Sequence, residues 1–361
     1  MVRCPPPAAG VAAVLALLAA GLRAQQTIDG CQIFPTSNVW NVPVESLPVA
    51  ANSATLIAHM QPTNGLHPDF GAALWNGGRI GIPYDSVAAA SPGVPIDFAT
   101  LGWSDESDPG PYPIPADPSI EGEPGDATGD RHVLVLEQGV CKLYETYYTY
   151  ANGDSAMALN DDWPTVETCA AGAGGWCAAS GARFDLSSNA LRTDGWTSAD
   201  AAGLPILPGL ARYEEVATGE IRHALRFTVP STVRAYLWPA RHQAGSTNDA
   251  SYPPMGLRVR LRASVDISGY TGQAKVILVA LRRYGMILAD NGSPWFISGV
   301  PNDFWDDDNL HTLAGIEGSD FEVVDESALE LAPDSAATPH LFSDGFESGA
   351  AALAAWWTTV P

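Results

Sequence analysis

Positive charge is scarce in this chain. It has 18 Lys and Arg residues against 41 Asp and Glu residues, which gives a formal net charge of -23 at pH 7. Phosphate backbones and anionic membrane surfaces attract basic proteins, so this balance argues against nucleic acid and such membranes as partners. Charged residues of both signs make up only 16% of the chain, whereas it has 29 prolines and 35 glycines. This composition is typical of a turn-rich β protein rather than a helical one.

Long apolar runs are absent after the first 24 residues. Near the N-terminus, Arg3 precedes the apolar run GVAAVLALLAAGL, and Ala24 offers a small residue for cleavage before Gln25. We therefore predict a signal peptide over residues 1–24. An uncleaved anchor is the alternative, but the run is short for a bilayer. The mature chain is expected to be secreted, extracellular or periplasmic, with no membrane span.

Cysteine is also rare. Cys4 would leave with the signal peptide, and an even number then remains: Cys31, Cys141, Cys169 and Cys177. In an oxidising compartment they predict two disulfides, for which three pairings are open. The glycine-rich loop between Cys169 and Cys177 is flexible enough to close on itself, and Cys31 would then tie the N-terminus to the strand around Cys141. A zinc site is the competing interpretation, but no CxxC pair is present.

The motifs of several enzyme classes are missing. The sequence has no GxSxG, no HExxH and no glycine loop that would cradle a phosphate. A serine hydrolase, a zinc protease of that type or a nucleotide enzyme therefore finds no support in motifs.

Short runs bounded by glycine or proline indicate many strands. The clearest are residues 131–137 and 141–150, which predict a hairpin with His132, Leu134 and Leu136 on one face. A second hairpin is predicted over 286–298, about the Asn291-Gly292 turn. Other strands are predicted at 79–84, 221–229, 233–238, 257–265 and 321–324. We expect a mainly β fold, an antiparallel β-sandwich or jelly-roll with long ordered loops and one long helix at about 270–284.

The chain organisation follows from changes in composition. Residues 25–330 are expected to form a single β-rich domain, followed by a linker at 331–341 and a small apolar tail at 342–361. Two shorter helices are predicted near residues 53–60 and 208–216. Residues 85–130 lack periodicity and are rich in proline and acidic residues, which predicts an extended, ordered wall or lid.

Carboxylates offer one route to chemistry. Glycoside hydrolysis needs one carboxyl group as proton donor and a second as base or nucleophile. The catalytic candidates are Asp69 in a loop, Asp108 on a rigid Pro-Gly-Pro corner, and Glu145 on a predicted strand. Asp290 precedes the Asn-Gly turn, where turn geometry alone explains an aspartate.

Histidines offer a second route. His132, His223 and His242 lie at the ends of predicted strands, where they would surround the carboxylates as further catalytic residues or meet in a divalent metal site. No HxH or HxxxE motif supports the metal, and the plainer interpretation makes each histidine a hydrogen-bonded loop or core residue. Arg226 and Arg241 lie near two of these histidines and would bind a carboxylated sugar, as a polysaccharide lyase requires. The alternative is that they only pair with the surplus carboxylates.

Aromatic residues in or beside loops complete the set of candidates. Trp103, Trp238 and Tyr112 would stack on sugar rings of a bound substrate. Completing the core is the alternative role of such residues.

Several segments resemble a group of secreted proteins of unknown activity. They are SDPGPYPIP, GDRHVLVLE, TSADAAGLPILPGLARYEE, WPARH, PPMG and YGMILADNGSPWFISG. The resemblance spans most of residues 31–325 and implies no particular reaction. The tail, with DGFESG followed by tryptophan, looks like a short C-terminal segment of many exported bacterial proteins, which implies sorting or anchoring. It departs from that segment in having alanine-rich residues in place of a polar stretch.

Together these features predict a secreted enzyme that acts on an extracellular polysaccharide or cell-wall glycan, as a glycoside hydrolase or, in second place, a lyase. The alternative is a non-catalytic carbohydrate-binding or surface protein. A third hypothesis is a jelly-roll enzyme whose histidine cluster binds a metal ion.

Overall fold

The computed structural model describes residues 25–98, 102–125, 129–154 and 169–339. The predicted signal peptide and C-terminal tail lie outside these residues. The described chain is a mainly β fold, with short strands in several sheets and four α-helices. None of its helices combines the length and the apolar character needed to cross a bilayer.

The elements are numbered in chain order. The strands are β1 (Thr27–Ile28), β2 (Cys31–Gln32), β3 (His67–Asp69), β4 (Leu74–Trp75), β5 (Gly78–Arg79), β6 (Asp85–Val87), β7 (Ile96–Asp97), β8 (Val133–Glu137), β9 (Lys142–Tyr147), β10 (Tyr150–Ala151), β11 (Trp176–Cys177), β12 (Ser180–Asp185), β13 (Leu225–Val229), β14 (Arg258–Leu261), β15 (Met286–Asn291), β16 (Phe296–Ser298) and β17 (Phe321–Val323). The α-helices are α1 (Ser53–Ala58), α2 (Tyr213–Thr218), α3 (Gly272–Arg283) and α4 (Asp307–His311).

The largest sheet has six strands in the order β17-β14-β15-β13-β16-β3. Central β13 pairs in parallel with β15 and antiparallel with β16, and β16 pairs in parallel with β3. This sheet is therefore mixed, whereas we expected antiparallel pairing. A parallel pair needs a crossover connection, and β14 with α3 supplies it between β13 and β15. The sandwich or jelly-roll arrangement stays a prediction.

The predicted hairpin over 286–298 does not form. β15 and β16 lie on opposite sides of β13, so the chain passes over the end of β13 instead of folding back on itself. The amides of Gly292 and Trp295 donate to the carbonyls of Val229 and Thr228, both in β13. Because Trp295 is fully buried, its burial holds this crossing in place.

The predicted hairpin before and after Gly139 is confirmed. β8 and β9 pair antiparallel in a four-stranded sheet of order β12-β9-β8-β6. Leu134 lies opposite Glu145, and Leu136 lies opposite Leu143, so these side chains share the face that the alternation predicted. This face joins the main core.

The long helix is also confirmed. α3 begins after Thr271, and Gly285 follows its end with a φ of 67°, a left-handed conformation that glycine adopts without steric cost. Ile277, Leu281 and Tyr284 point into the protein, as their spacing predicts. α1 confirms the helix expected near residues 53–60, with Leu56, Ile57 and Met60 buried.

Other local predictions need correction. Residues 208–216 form no single helix: a short 3-10 turn covers Leu207–Gly209, and α2 begins only at Tyr213. The intervening residues run extended because Ala211 bridges in parallel to Gly299. Residues 233–238 form no strand and make only isolated bridges, such as that of Val233 with Thr247.

The long wall over residues 85–130 packs against the protein in its described part, as predicted. Tyr112, Ile114 and Ile120 are buried and form a small second core with the outer face of β8. Within the wall, β6 pairs in parallel with β8. The wall therefore covers the face of the hairpin that the main core leaves open.

Both disulfides form in the pairing that the loop argument favoured. Cys31 is bonded to Cys141, and Cys169 is bonded to Cys177. The first links the N-terminal strand pair to the turn between β8 and β9. The second closes a short loop before β12.

Residues 331–339, expected to begin a linker, are fixed to the body of the protein. Ala336 and Thr338 are buried, and Ala337 bridges to Asn38. Trp238 donates its indole N–H to the carbonyl of Ser335 at 2.8 Å. The change in composition after residue 330 thus marks a segment that packs against the rest of the protein and is not a free linker.

Candidate active-site cleft

Charged side chains gather where the six-stranded sheet meets the end of the long wall. Asp69, Arg226 and Asp290 come from β3, β13 and β15 of that sheet. The end of the wall contributes Glu121, Asp130 and His132, which precede β8 in the chain. Asp200 comes from the segment before the 3-10 turn at 207–209. We call this group the carboxylate cleft; its members are Asp69, Glu121, Asp130, His132, Asp200, Arg226 and Asp290.

His132 is the buried end of the cleft. Its Nδ1 lies 2.5 Å from a carboxylate oxygen of Glu121, and its Nε2 lies 3.0 Å from the carbonyl of Ala199. Burial alone would lower the pKa of His132, but the adjacent Glu121 carboxylate raises it to about 9. The imidazole is therefore a cation at neutral pH and donates at both nitrogens.

Arg226 is locked in place by Asp200. Its Nε and one terminal nitrogen donate to the two carboxylate oxygens of Asp200 at 2.9 and 2.8 Å, and its other terminal nitrogen donates to the Ser298 hydroxyl. Both ionic partners are buried. A bidentate pair of this kind fixes the orientation of the guanidinium and balances its charge.

Asp69 is the carboxylate most open to solvent on the sheet side. The residue is exposed at the surface, yet its carboxyl group is partly desolvated by the surrounding protein. This partial desolvation, together with the carboxylates of Glu121 and Asp130, raises the pKa of Asp69 to about 6, although Arg226 opposes the shift. Asp69 thus keeps a proton well above the usual range of aspartate.

Two more carboxylates face the same space. Burial, together with repulsion from Asp200 and Asp130, raises the pKa of Asp290 to about 7, although attraction by Arg226 opposes the shift. Burial also raises the pKa of Asp130, while His132 lowers it. Asp130 is exposed and Asp290 is half-buried. Since like charges this close disfavour simultaneous ionisation, the group retains protons that isolated carboxyls would lose.

Glu145 anchors the backbone next to the cleft. It is fully buried, and its carboxylate accepts the amides of Ile206 and Leu207 at 2.9 to 3.0 Å. Burial raises the pKa of Glu145 to about 7, although those two amides lower it. Glu145 therefore fixes the turn at 207–209 and does not reach a ligand.

Two tyrosines border the carboxylates. The rings of Tyr147 and Tyr148 lie 4.3 Å apart, and the Tyr147 ring lies 5.4 Å from that of His132. The backbone amide of Tyr148 donates to the carbonyl of Asp130. Both tyrosines are half-buried, so part of each ring stays accessible beside Asp130.

The other predicted carboxylate has a structural role. Asp108 accepts from the guanidinium of Arg192 at 2.5 Å and from the amide of Arg183 at 2.9 Å. These bonds tie the wall to β12.

The predicted histidine cluster does not form. His223 bonds to Glu215 and to the carbonyl of Ala224, and His242 bonds to the carbonyl of Ala201. Among the residues that the structure describes, one group places three potential ligand atoms within 4.8 Å of one another: Glu121, Asp130 and His132. Only one histidine belongs to it, and both of its ring nitrogens have protein partners.

The predicted substrate-binding residues separate in the same way. Arg226 belongs to the cleft, whereas Arg241 is buried and bonds to the carbonyls of Arg192 and Pro333 and to Asp334. Tyr112 is fully buried and donates to the carbonyl of Asp108, so it contributes to the core rather than to a ligand surface. Trp238 packs at the edge of the main core. Trp103 is exposed, beside the 3-10 turn at 104–106.

Sequence reasoning missed the acidic side chains that complete the cleft. Asp290 was explained by the turn that follows it, and its carboxylate does accept the amide of Asn291 at 2.7 Å. Glu121 and Asp130 were hidden among many acidic residues of the wall. The one usable signal was Asp130 directly before Arg131-His132, at the start of a strand.

No family model, curated protein or solved structure matches this chain.

Proposed function

We propose that the protein is a hydrolase that cleaves an extracellular glycan by general acid–base catalysis in the carboxylate cleft. The observation that carries this proposal is the grouping of exposed Asp69 and Asp130 with further acidic side chains around Arg226 and His132, where burial and mutual repulsion raise the carboxyl pKa values. Glycoside hydrolysis requires one protonated and one ionised carboxyl group at the same bond. A cleft in which Asp69 has a pKa of about 6 beside other acidic groups supplies both states in mildly acidic solution.

The roles follow from exposure and charge. Asp69 is accessible and has a pKa raised to about 6, so it donates the proton to the leaving-group oxygen. Asp130 is accessible, and cationic His132 opposes the rise in its pKa that burial causes, so it acts as base or nucleophile. Glu121 holds His132, and Arg226 holds Asp200; these act as positioning residues.

A glycan substrate is favoured by the cleft walls. The half-buried rings of Tyr147 and Tyr148 present apolar faces next to polar carboxylates, a combination that suits the mixed surface of a sugar ring. The lyase alternative loses its main support, because Arg226 and Arg241 both have internal partners and neither is left to neutralise a uronate. Two disulfides fit the extracellular location in which such a substrate occurs.

The test is product release from neutral and uronic polysaccharides by the purified full-length mature chain, with and without EDTA. We expect new reducing ends from at least one neutral polymer, and a loss of about 100-fold or more in rate for Asp69→Asn and Asp130→Asn. Exposed Asp117 provides the matched control, and Asp117→Asn should act like the wild type.

Other outcomes redirect the interpretation. An unsaturated uronate product would replace the hydrolase with a lyase. Loss of activity in EDTA would indicate a metal-dependent reaction at Glu121, Asp130 and His132. Full activity of Asp69→Asn would remove the cleft from the reaction.

A further inference from the structure

An exposed tryptophan stands on a small hairpin at the edge of the cleft. In β4 of this hairpin, Trp75 is 70% exposed and Leu74 is 62% exposed. Among the large hydrophobic residues of the described chain, only Phe304 is more exposed than Trp75, at 71%. A single exposed apolar side chain is ordinary, but neighbouring large apolar side chains that stay exposed in the free protein indicate a surface that binds a partner.

The hairpin is held by its tight turn and by hydrogen bonds at its base. Trp75 pairs with Gly78 across a two-residue turn of Asn76 and Gly77, whose φ values of 50° and 89° suit the tight turn that Asn-Gly favours. The carboxylate of Asp307 accepts the amides of Ala72 and Ala73, each at 2.9 Å, and fixes the base of the hairpin. The indole is therefore presented on a framework that loses little entropy when a ligand binds.

Close backbone packing connects this hairpin to the cleft. Gly78 lies directly against the carbonyl of Gly122, and Gly125 lies against the backbone of Asn76 and Gly78, with no room for a Cβ at either contact. Gly122 follows Glu121, the residue that holds His132. The hairpin is thus the rim of the cleft on the side of the wall.

The charge of the cleft limits what can lie between the rim and the catalytic groups. Five carboxylates face or adjoin this space. The two cationic side chains beside them are already paired, Arg226 with Asp200 and His132 with Glu121. An anionic chain such as a polyuronate would meet repulsion here. A neutral chain meets none and gains contact with the apolar indole face.

We propose that Trp75 forms a remote sugar-binding subsite, and that the substrate is a neutral polysaccharide long enough to extend from the carboxylates to this rim. This inference rests on the proposed function and adds the substrate class to it. The indole stacks against a sugar ring removed from the cleaved bond, and this contact holds the polymer across the cleft. This contact stabilises a bound polymer, whereas a substrate too short to reach Trp75 does not make it.

The test separates binding from catalysis. Binding is measured by affinity electrophoresis in gels that contain soluble xylan, mixed-linkage β-glucan, galactomannan or polygalacturonate, with the Asp69→Asn chain so that the polymer stays intact. We expect retardation by at least one neutral polymer and none by polygalacturonate. Adding Trp75→Ala should weaken retention about tenfold, whereas Trp75→Phe should keep part of it.

Catalysis provides the second readout, with Asp69 intact. Trp75→Ala should lower kcat/KM on the retained polymer about tenfold and leave hydrolysis of a single-sugar aryl glycoside unchanged, because that substrate ends before the rim. Val279→Ala on the outer face of α3 removes another exposed apolar side chain and is the control. Thermal unfolding of each variant verifies that the fold is intact.

The outcomes of the two proposals are distinguishable. Wild-type turnover of polymers with no effect of Trp75→Ala overturns the subsite and leaves the hydrolase. Retention that depends on Trp75 without turnover of any glycan overturns the hydrolase and leaves a binding protein. Tighter retention by polygalacturonate than by the neutral polymers overturns the substrate class. Absence of both retention and turnover overturns both proposals.

Discussion

At the scale of single residues, the cleft is organised by buried charge. Arg226 and Asp200 are both buried, and their bidentate contact is supplemented by the Ser298 hydroxyl. Removing one partner of such a pair leaves an uncompensated charge in the protein interior. Asp69 and Asp130 depend on this pair indirectly, because Arg226 opposes the rise of their pKa values.

Arg226→Met should therefore destabilise the protein strongly. We expect the free energy of unfolding to fall by about 3–5 kcal/mol, since Asp200 loses its charge partner and cannot reach solvent. Urea unfolding followed by tryptophan fluorescence measures this loss. The matched control is Arg79→Ala, which breaks the exposed pair of Arg79 with Asp303 and should cost less than about 1 kcal/mol. Equal effects of the two substitutions would contradict a structural role for the buried pair.

At the scale of elements, the two disulfides constrain loops of very different length. The Cys31–Cys141 bond links residues 110 apart in sequence, whereas the Cys169–Cys177 bond links residues 8 apart. In the chain-entropy account, a cross-link restricts the unfolded chain more when it closes a longer loop. The longer link also joins the N-terminal strand pair to the β8–β9 hairpin, which contributes His132 to the cleft.

Replacing both cysteines of a bond by serine should reveal this difference. We expect the Cys31→Ser/Cys141→Ser variant to lose about 4–5 kcal/mol of unfolding free energy, and the Cys169→Ser/Cys177→Ser variant to lose about 2–3 kcal/mol. Chemical denaturation of both variants under identical conditions gives the comparison. A larger loss for the short loop would show that native contacts, rather than unfolded-chain entropy, dominate.

At the scale of the whole molecule, the excess of acidic groups affects stability as pH changes. The folded-state pKa values of Asp69, Asp290 and Glu145 are raised to about 6 or 7, so the folded chain binds more protons than the unfolded chain above about pH 4. The stability associated with these groups therefore decreases as pH rises toward 7. His132 acts in the same direction, because its contribution is lost as pH rises through its folded pKa of about 9.

The melting temperature should consequently be higher at pH 5 than at pH 8. Glu215, whose pKa is lowered mainly by Arg212 against the effect of burial, weakens the fold only below this window. Differential scanning calorimetry at constant ionic strength measures the slope. The Asp290→Asn/Glu145→Gln variant should show a flatter dependence between pH 5 and 8. A melting temperature that rises from pH 5 to pH 8 would contradict the pKa shifts described for the cleft.

Local patterns in the sequence determined several features of this protein. The alternation of residues 131–137 placed Leu134 and Leu136 on one face, because side chains of a strand alternate between faces whatever lies further away. The apolar spacing and Gly285 located α3 for the same local reason. The short glycine-rich loop favoured the disulfide pairing that forms. The acidic composition indicated the charge of the cleft without locating it.

Only the tertiary structure decided which charged residues meet. The Asn291-Gly292 turn predicted a hairpin, but β13 lies between β15 and β16 and pairs with both of them. That insertion places Asp290 beside Arg226, and the parallel pairing of β16 with β3 places Asp69 beside Ser298. Neither neighbour relation has a local signature, since strand order depends on contacts between residues distant in sequence. The carboxylate cleft is a product of that order.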